Sequence, residues 1–245
     1  MARTDDLSLR LGEIVPPRPH PPHPAGVTLE GRHCRLLPLS AADHGEALFA
    51  ANAEDSDGSG WDYLPYGPFA TLDEYRQWLE ASEKGDDPTF FAVESGGRMT
   101  GVASYLRINP AQFSIEVGHI RFSPLLQSTI AATEAMYLMM AWAFDNGYRR
   151  YEWKCNALNM RSRAAAQRLG FSYEGVFRQA TISKSRNRDT AWFAVIDREW
   201  PQIRGCYETW LDASNFDADG RQIKALSALT APHLFKTDDG TLGRP

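Results

Sequence analysis

Residues 115–144 constrain the fold more than any other stretch, because they read as a strand (IEVGHIRFSP), a short turn (LLQST) and a long helix (IAATEAMYLMMAWAF) in immediate succession. Proline at 124 ends the strand, since it cannot donate to a sheet ladder. The helix is apolar on more than one face, so it cannot stay solvated and must lie buried against a sheet. Gly147 supplies the left-handed stop at its end. A strand that turns this sharply into a helix leaves several backbone N–H groups unpaired at the positive end of the helix dipole, a setting that suits an anion such as a pyrophosphate. The small Ala131 and Ala132 let such a group approach the backbone closely.

The flanking sequence supplies the sheet. Upstream, TLEGRHCRLLPL begins folded structure near Val27, Ser40 caps a helix expected over 41–53, and a second helix is expected over 71–84. TFFAVES and MTGVASYLRI, joined at Gly96-Gly97, read as a hairpin. Downstream, YRRYEWKCNA reads as a strand, Asn159 caps the short helix MRSRAAAQRL, Gly170 ends it, and FSYEGVFRQATI and DTAWFAVID close as a strand pair. The order is helices, an antiparallel meander, then strand, helix, strand, helix, strand, strand. The segment 15–24, VPPRPHPPHP, is too rich in proline for sheet or helix and reads as a surface arm; its His20 and His23 are assigned no role. The division expected is an arm over 1–26, one domain over 27–200 and an extension over 201–245, with helices around CYETWLDA and GRQIKALSAL.

Charge narrows the partners. With 26 Lys and Arg against 31 Asp and Glu, the net charge is only −5, so nothing points to nucleic acid or an anionic membrane. No apolar run is long enough to span a bilayer and the N-terminus lacks a signal-peptide pattern, which places the chain in the cytoplasm. Cys34, Cys155 and Cys206 lie far apart and read as reduced structural thiols, and no metal site is expected.

The run Gln127-Ser128-Thr129-Ile130-Ala131-Ala132, continued by Thr133-Glu134-Ala135, resembles the cofactor motif Q/R-x-x-G-x-G/A of the GNAT superfamily and, within it, the RimJ/RimL-like branch. Ile130 departs from the pattern, standing where glycine belongs, and a β-branched residue resists positive φ. A second match, Asn159-Met160-Arg161-Ser162 leading through a helix to Leu169-Gly170-Phe171, resembles the family's N-x-x-S followed by L-G-F. The resemblance covers about 27–200 and implies an α+β fold whose mostly antiparallel mixed sheet, flanked by helices, has splayed fourth and fifth strands, here 113–122 and 151–156. It further implies acetyl-CoA as cofactor, with pantetheine between those strands near Val117, Gly118 and Ile120. Gln127, Ser128, Thr129, Ala131, Ala132 and Thr133 would take the phosphates, and Asn159 and Ser162 the pantetheine arm.

The activity implied is N-acetyl transfer to a primary amine, either a small molecule or a protein N-terminus, by direct attack in a ternary complex. An alkyl ammonium has a pKa near ~10, so a base or water relay is needed at neutral pH. Glu116, on the strand bordering the reacting carbonyl, is the first candidate base, with a paired strand carboxylate as the alternative. His119 is the second, but an odd offset from Glu116 puts it on the opposite face of a regular strand. Ser162 is the candidate donor to the departing thiolate, or else a first-turn serine bonded to its own backbone. Trp61, Asp62, Tyr63 and Tyr66, in the loop WDYLPYGPF, are candidates for the acceptor pocket, against a loop packed on itself; Lys184, Arg186 and Arg188 read as a solvated turn. A catalytically silent acyl-CoA-binding sensor or scaffold is the alternative that Ile130 keeps open. A cysteine hydrolase built on Cys155 is disfavoured, because nothing near it lowers a thiol pKa. Whether the chain forms a homodimer stays open.

Overall fold

A computed structural model of the chain describes residues 11–241, so the first ten residues of the expected arm and the last four of the extension lie outside the described residues. Eight strands form one open sheet: β1 (Leu29–Glu30), β2 (Arg35–Pro38), β3 (Thr89–Ser95), β4 (Arg98–Asn109), β5 (Ser114–Phe122), β6 (Arg150–Asn156), β7 (Ser172–Ser183) and β8 (Arg186–Ile196). Their spatial order is β1-β2-β3-β4-β5-β6-β8-β7. Among the described residues only β5 and β6 run parallel, and the chain between them makes the helical crossover that a parallel pair needs. The fold is thus the mixed α+β sheet expected from the sequence.

Helices cover both faces. On one side α1 (Ala41–Asn52), capped by Ser40, and α2 (Leu72–Glu83), capped by Thr71 in a capping box with Glu74, enclose a cluster of Leu48, Tyr75, Leu79, Phe90 and Val102. On the other side lie α3 (Ile130–Asp145), α4 (Met160–Arg168), α5 (Trp200–Leu211) and α6 (Leu226–Thr230), over the larger core. As the composition of α3 requires, buried residues run all round it, from Ala131 to Ala143. Gly147, at φ 92°, turns the chain out of α3, in a region that a side chain with a Cβ resists.

Both ends touch the domain. The proline segment is docked rather than free: the Tyr148 hydroxyl donates to Pro22 O at 3.0 Å and the His20 ring meets Phe113 edge-on at 5.6 Å. The chain after Trp200 shares the main core, contributing Ile203, Tyr207 and Trp210, and the Tyr207 hydroxyl donates to Leu169 O at 2.9 Å. Among the described residues no helix is long and apolar enough to cross a membrane.

Candidate active site

β5 and β6 pair only from Ser114↔Arg150 to Val117↔Trp153 and then separate. Beyond that point, residues 118–122 of one strand and 154–156 of the other have no ladder between them. The gap opens into a cavity of about 1510 Å³, lined by Val117, Gly118 and Ile120 on one wall and Trp153, Lys154 and Cys155 on the other. Single-ligand sites usually enclose roughly 300–1000 Å³, so this one has room for two reactants.

At one end of the cavity sits the start of α3. Thr129 is the N-cap: its hydroxyl oxygen accepts from Ala132 N–H at 3.1 Å. Among the described residues the amides of Ser128, Ile130 and Ala131 have no acceptor, and the first turn carries no acidic side chain. Three free donors at a dipole's positive end suit a diphosphate, so the residues present fit the phosphate arm of CoA. The positive φ of the turn falls on Ser128, at 62°, whereas Ile130 is the first helical residue. A β-branched side chain therefore meets no strain at 130. Gln127, Ser128, Thr129, Ala132 and Thr133 line the cavity; the Ala131 methyl is turned into the core, leaving that residue only its amide to offer. Gln127 donates its amide to Phe122 O, and Thr133 accepts from both terminal nitrogens of Arg168 at 3.1 Å. Glu134 serves the fold instead: its carboxylate takes the N–H groups of Arg32, His33 and Cys34.

Glu116 lies where the strands part, with its side chain only 3% exposed. Its Oε2 accepts from Lys154 Nζ at 2.8 Å, while Arg107 Nη1 reaches both oxygens at 2.8 Å. Lys154 also holds Glu152 at 2.7 Å and sits 3.8 Å over the Trp192 ring. Burial raises the Glu116 carboxyl above the usual carboxylate range, against the pull of the two cations. Oε1 faces Arg107 alone, and the Arg107 side chain is 60% exposed.

His119 corrects the strand-face expectation. Between Val102↔Arg121 and Ser104↔Gly118, β5 carries one residue more than β4, and His119 takes φ 50° within this bulge. The extra residue turns the ring to the face that Glu116 occupies. There it stacks on Tyr66 with ring centroids 5.6 Å apart, and its Nδ1 lies 3.0 Å from the Tyr66 hydroxyl. Burial, helped by the Arg107 and Arg188 charges, pulls its pKa down to about 4, so the ring is neutral at pH 7. On the opposite wall, Asn159 caps α4 by accepting from Ser162 N–H at 3.0 Å, and Trp153 Nε1 donates to Ser162 Oγ at 3.0 Å. The neighbouring Cys155 thiol is pushed up to about 11 by burial, the opposite of what a nucleophile needs.

The acceptor loop divides. Asp62 and Tyr63 line the cavity, and the Tyr63 hydroxyl donates to Leu158 O at 3.2 Å. Trp61 and Tyr66 do not line it: they pack with Phe69 and Trp78 in the cluster under α1 and α2, where large apolar rings gain from leaving water. Beneath them Arg121, 1% exposed, pairs with Asp55 at 2.9 Å and stacks on Trp61. The turn 184–188 is not simply solvated. Lys184 donates to Trp61 O at 2.9 Å and Gly67 O at 3.1 Å, clamping the loop, and Arg188 lines the cavity. Arg107, Lys154, Arg168 and Arg188 were all missed by sequence reasoning. The period-two alternation of Arg188, Thr190 and Trp192 along one strand was the signal available for the last of these.

A family model described as an acetyltransferase (GNAT) domain matches residues 33–172. Among solved structures, a GCN5-related N-acetyltransferase from Brucella melitensis is 45% identical, covers 87% of this chain and 98% of its own, and has a TM-score of 0.85. A protein of the GNAT family from Chromobacterium violaceum is 39% identical over 77% of this chain and 98% of its own, with a TM-score of 0.70. RimL, a ribosomal L7/L12 alpha-N-protein acetyltransferase, is 20% identical over 69% of this chain and 94% of its own, with a TM-score of 0.59, and shares the fold alone. No curated protein matches the sequence.

Proposed function

The chain belongs to the GNAT acetyltransferase family, and on that premise we propose that it is an acetyl-CoA-dependent N-acetyltransferase acting on a primary amine. The observation that carries the proposal is the parting of β5 and β6 beside three unpaired amides at the start of α3. The TEA run at 133–135 supports the narrower RimJ/RimL-like placement, and three free cysteines suit a reducing cytoplasm. A small amine or a peptide N-terminus is the acceptor class.

Bound acetyl-CoA supplies a thioester whose acetyl group an amine can take. The amides of Ser128, Ile130 and Ala131 would hold the diphosphate, with Thr133 and Arg168 alongside. Val117, Gly118 and Ile120, along the unpaired edge of β5, would face the pantetheine, with Asn159 and Ser162 at the start of α4 on its other side. Asp62 and Tyr63 wall the acceptor end. Glu116 Oε1 receives the acceptor's proton. An incoming ammonium can replace Arg107 there, because a partner on a mostly exposed side chain is held weakly, while Lys154 keeps Oε2 in place. Ser162 would hold its hydroxyl proton where a leaving thiolate could take it.

Calorimetry with acetyl-CoA, followed by turnover against amines and peptides, tests the reading. With a working acceptor, Glu116→Gln is expected to lower kcat/KM about 10²-fold at pH 7, the scale of a positioned general base. Raising the pH recovers much of that loss, since the free amine needs no base. Full activity of Glu116→Gln across the range would make Glu116 a structural carboxylate, and tight acetyl-CoA binding with no turnover on any amine would favour a silent binding module.

A further inference from the structure

The acceptor face of the sheet holds one cation too many. Glu116, Lys154, Trp192 and His119 all lie on the face opposite the α3 core, and Arg188 joins them, because β8 is an unbroken strand from Arg188 to Trp192, with the extra residues of both irregularities there in β7, and alternate residues share a face. The carboxylates of β5, β6 and β7 beside it are each paired with a cation of β4 or β6. Glu116 holds Lys154 and Arg107, Glu152 holds Lys154 and Arg150, and Glu174 holds Arg150. Among the described residues the Arg188 side chain makes no hydrogen bond and no ion pair. Its Nε is buried without a partner although the side chain lines the cavity. A guanidinium kept partly out of water with no acceptor costs free energy, and an anionic ligand offsets that cost. Burial first, and then the Arg107 and Arg188 charges, lower the proton affinity of His119 beside it.

Building on the acetyltransferase reading, we propose that the acceptor amine carries a carboxylate, bound by Arg188. The charge layout gives such an acceptor two ends. Its ammonium displaces Arg107 from Glu116 Oε1, and the freed Arg107, whose side chain is 60% exposed, joins Arg188 on the carboxylate. A planar guanidinium fork matches a carboxylate bidentately, which an ammonium side chain cannot do. An amine without the carboxylate leaves Arg188 unpaired and is discriminated against, as sites built to bond a polar group reject analogues that lack it.

The test uses the full chain and matched acceptors: phenylalanine with phenethylamine, serine with ethanolamine, lysine with cadaverine, and the amidated dipeptides Ser-Glu with Ser-Gln. The expected result is that at least one carboxylate-bearing member exceeds its partner in kcat/KM by about tenfold or more, most of it in KM. In Arg188→Gln that ratio falls toward one, and Arg188→Lys restores only part of it, while the calorimetric affinity for CoA and the circular dichroism spectrum match those of the wild type. Equal use of both members of every pair, or an unchanged ratio in Arg188→Gln, overturns the carboxylate assignment and leaves the acetyltransferase reading standing. Acetyl-CoA binding with no transfer to any member overturns both.

Discussion

A serine hydroxyl has one proton to donate and two lone pairs with which to accept, whereas an indole can only donate. Because Trp153 Nε1 donates to Ser162 Oγ, and Asn159 already serves the Ser162 amide, the hydroxyl proton is left to point elsewhere. Cavity and Cys155 are what it faces, so the local bonding prepares Ser162 as a donor on the wall where the sulfur of the thioester is proposed to lie. Ser162→Ala is expected to lower kcat by roughly 10²-fold with little rescue at high pH, since it removes a donor rather than a base. Trp153→Phe keeps the hydroxyl but frees its rotation, so a smaller loss in kcat is expected with the acetyl-CoA affinity unchanged. Steady-state rates over a pH series, beside calorimetry, check both. If Trp153→Phe changes affinity and leaves kcat intact, the indole is a wall of the pocket and does not orient Ser162.

At the scale of the element, the α3 start shows how a motif can lose a residue and keep its shape. The turn needs one left-handed residue and places it at Ser128, where φ is 62°, so Ile130 begins the helix with its side chain against the core. Restoring the family's glycine by Ile130→Gly removes that packing and loosens the first turn, by roughly 1 kcal/mol or more. The expected outcome is a lower melting temperature with no gain in CoA affinity or rate. A gain in either would mean that Ile130 distorts the cradle. The bulge at His119 makes the complementary point: one extra residue in β5 reverses which side chains meet, and no alternation rule applied to the sequence foresees it.

Across the whole molecule, the C-terminal segment closes the structure. Arg163 of α4 and Asp238 near the chain end are each 1% exposed and form a bidentate pair, with Arg163 Nε donating to Oδ2 at 2.6 Å; Arg163 also donates to Ala157 O at 2.9 Å. Removing one partner of such a pair strands a buried charge. Asp238→Ala is therefore expected to destabilise the fold by about 3–5 kcal/mol in a denaturant titration, and to perturb α4, which carries Asn159 and Ser162. A change under 1 kcal/mol would show that the tail is dispensable.

Sequence alone determined the elements and their order. Caps at Ser40 and Asn159, breaks at Pro124 and Gly147, and the all-round apolar α3 act through neighbours a few residues away, and such local signals survive in a linear reading. The turn proposed to take the diphosphate rests on the same local signals. Which charged groups would share the acceptor face was not, because Arg107, Glu116, Lys154 and Arg188 come from four strands. Their meeting depends on two things that only pairing across the sheet fixes: the parallel register of β5 on β6, and the bulges at Arg107 and His119. Tertiary structure likewise sent Trp61 and Tyr66 into the core and brought Lys184 over their loop, since large aromatic rings go where they bury most surface and that place is set by helices distant in the chain.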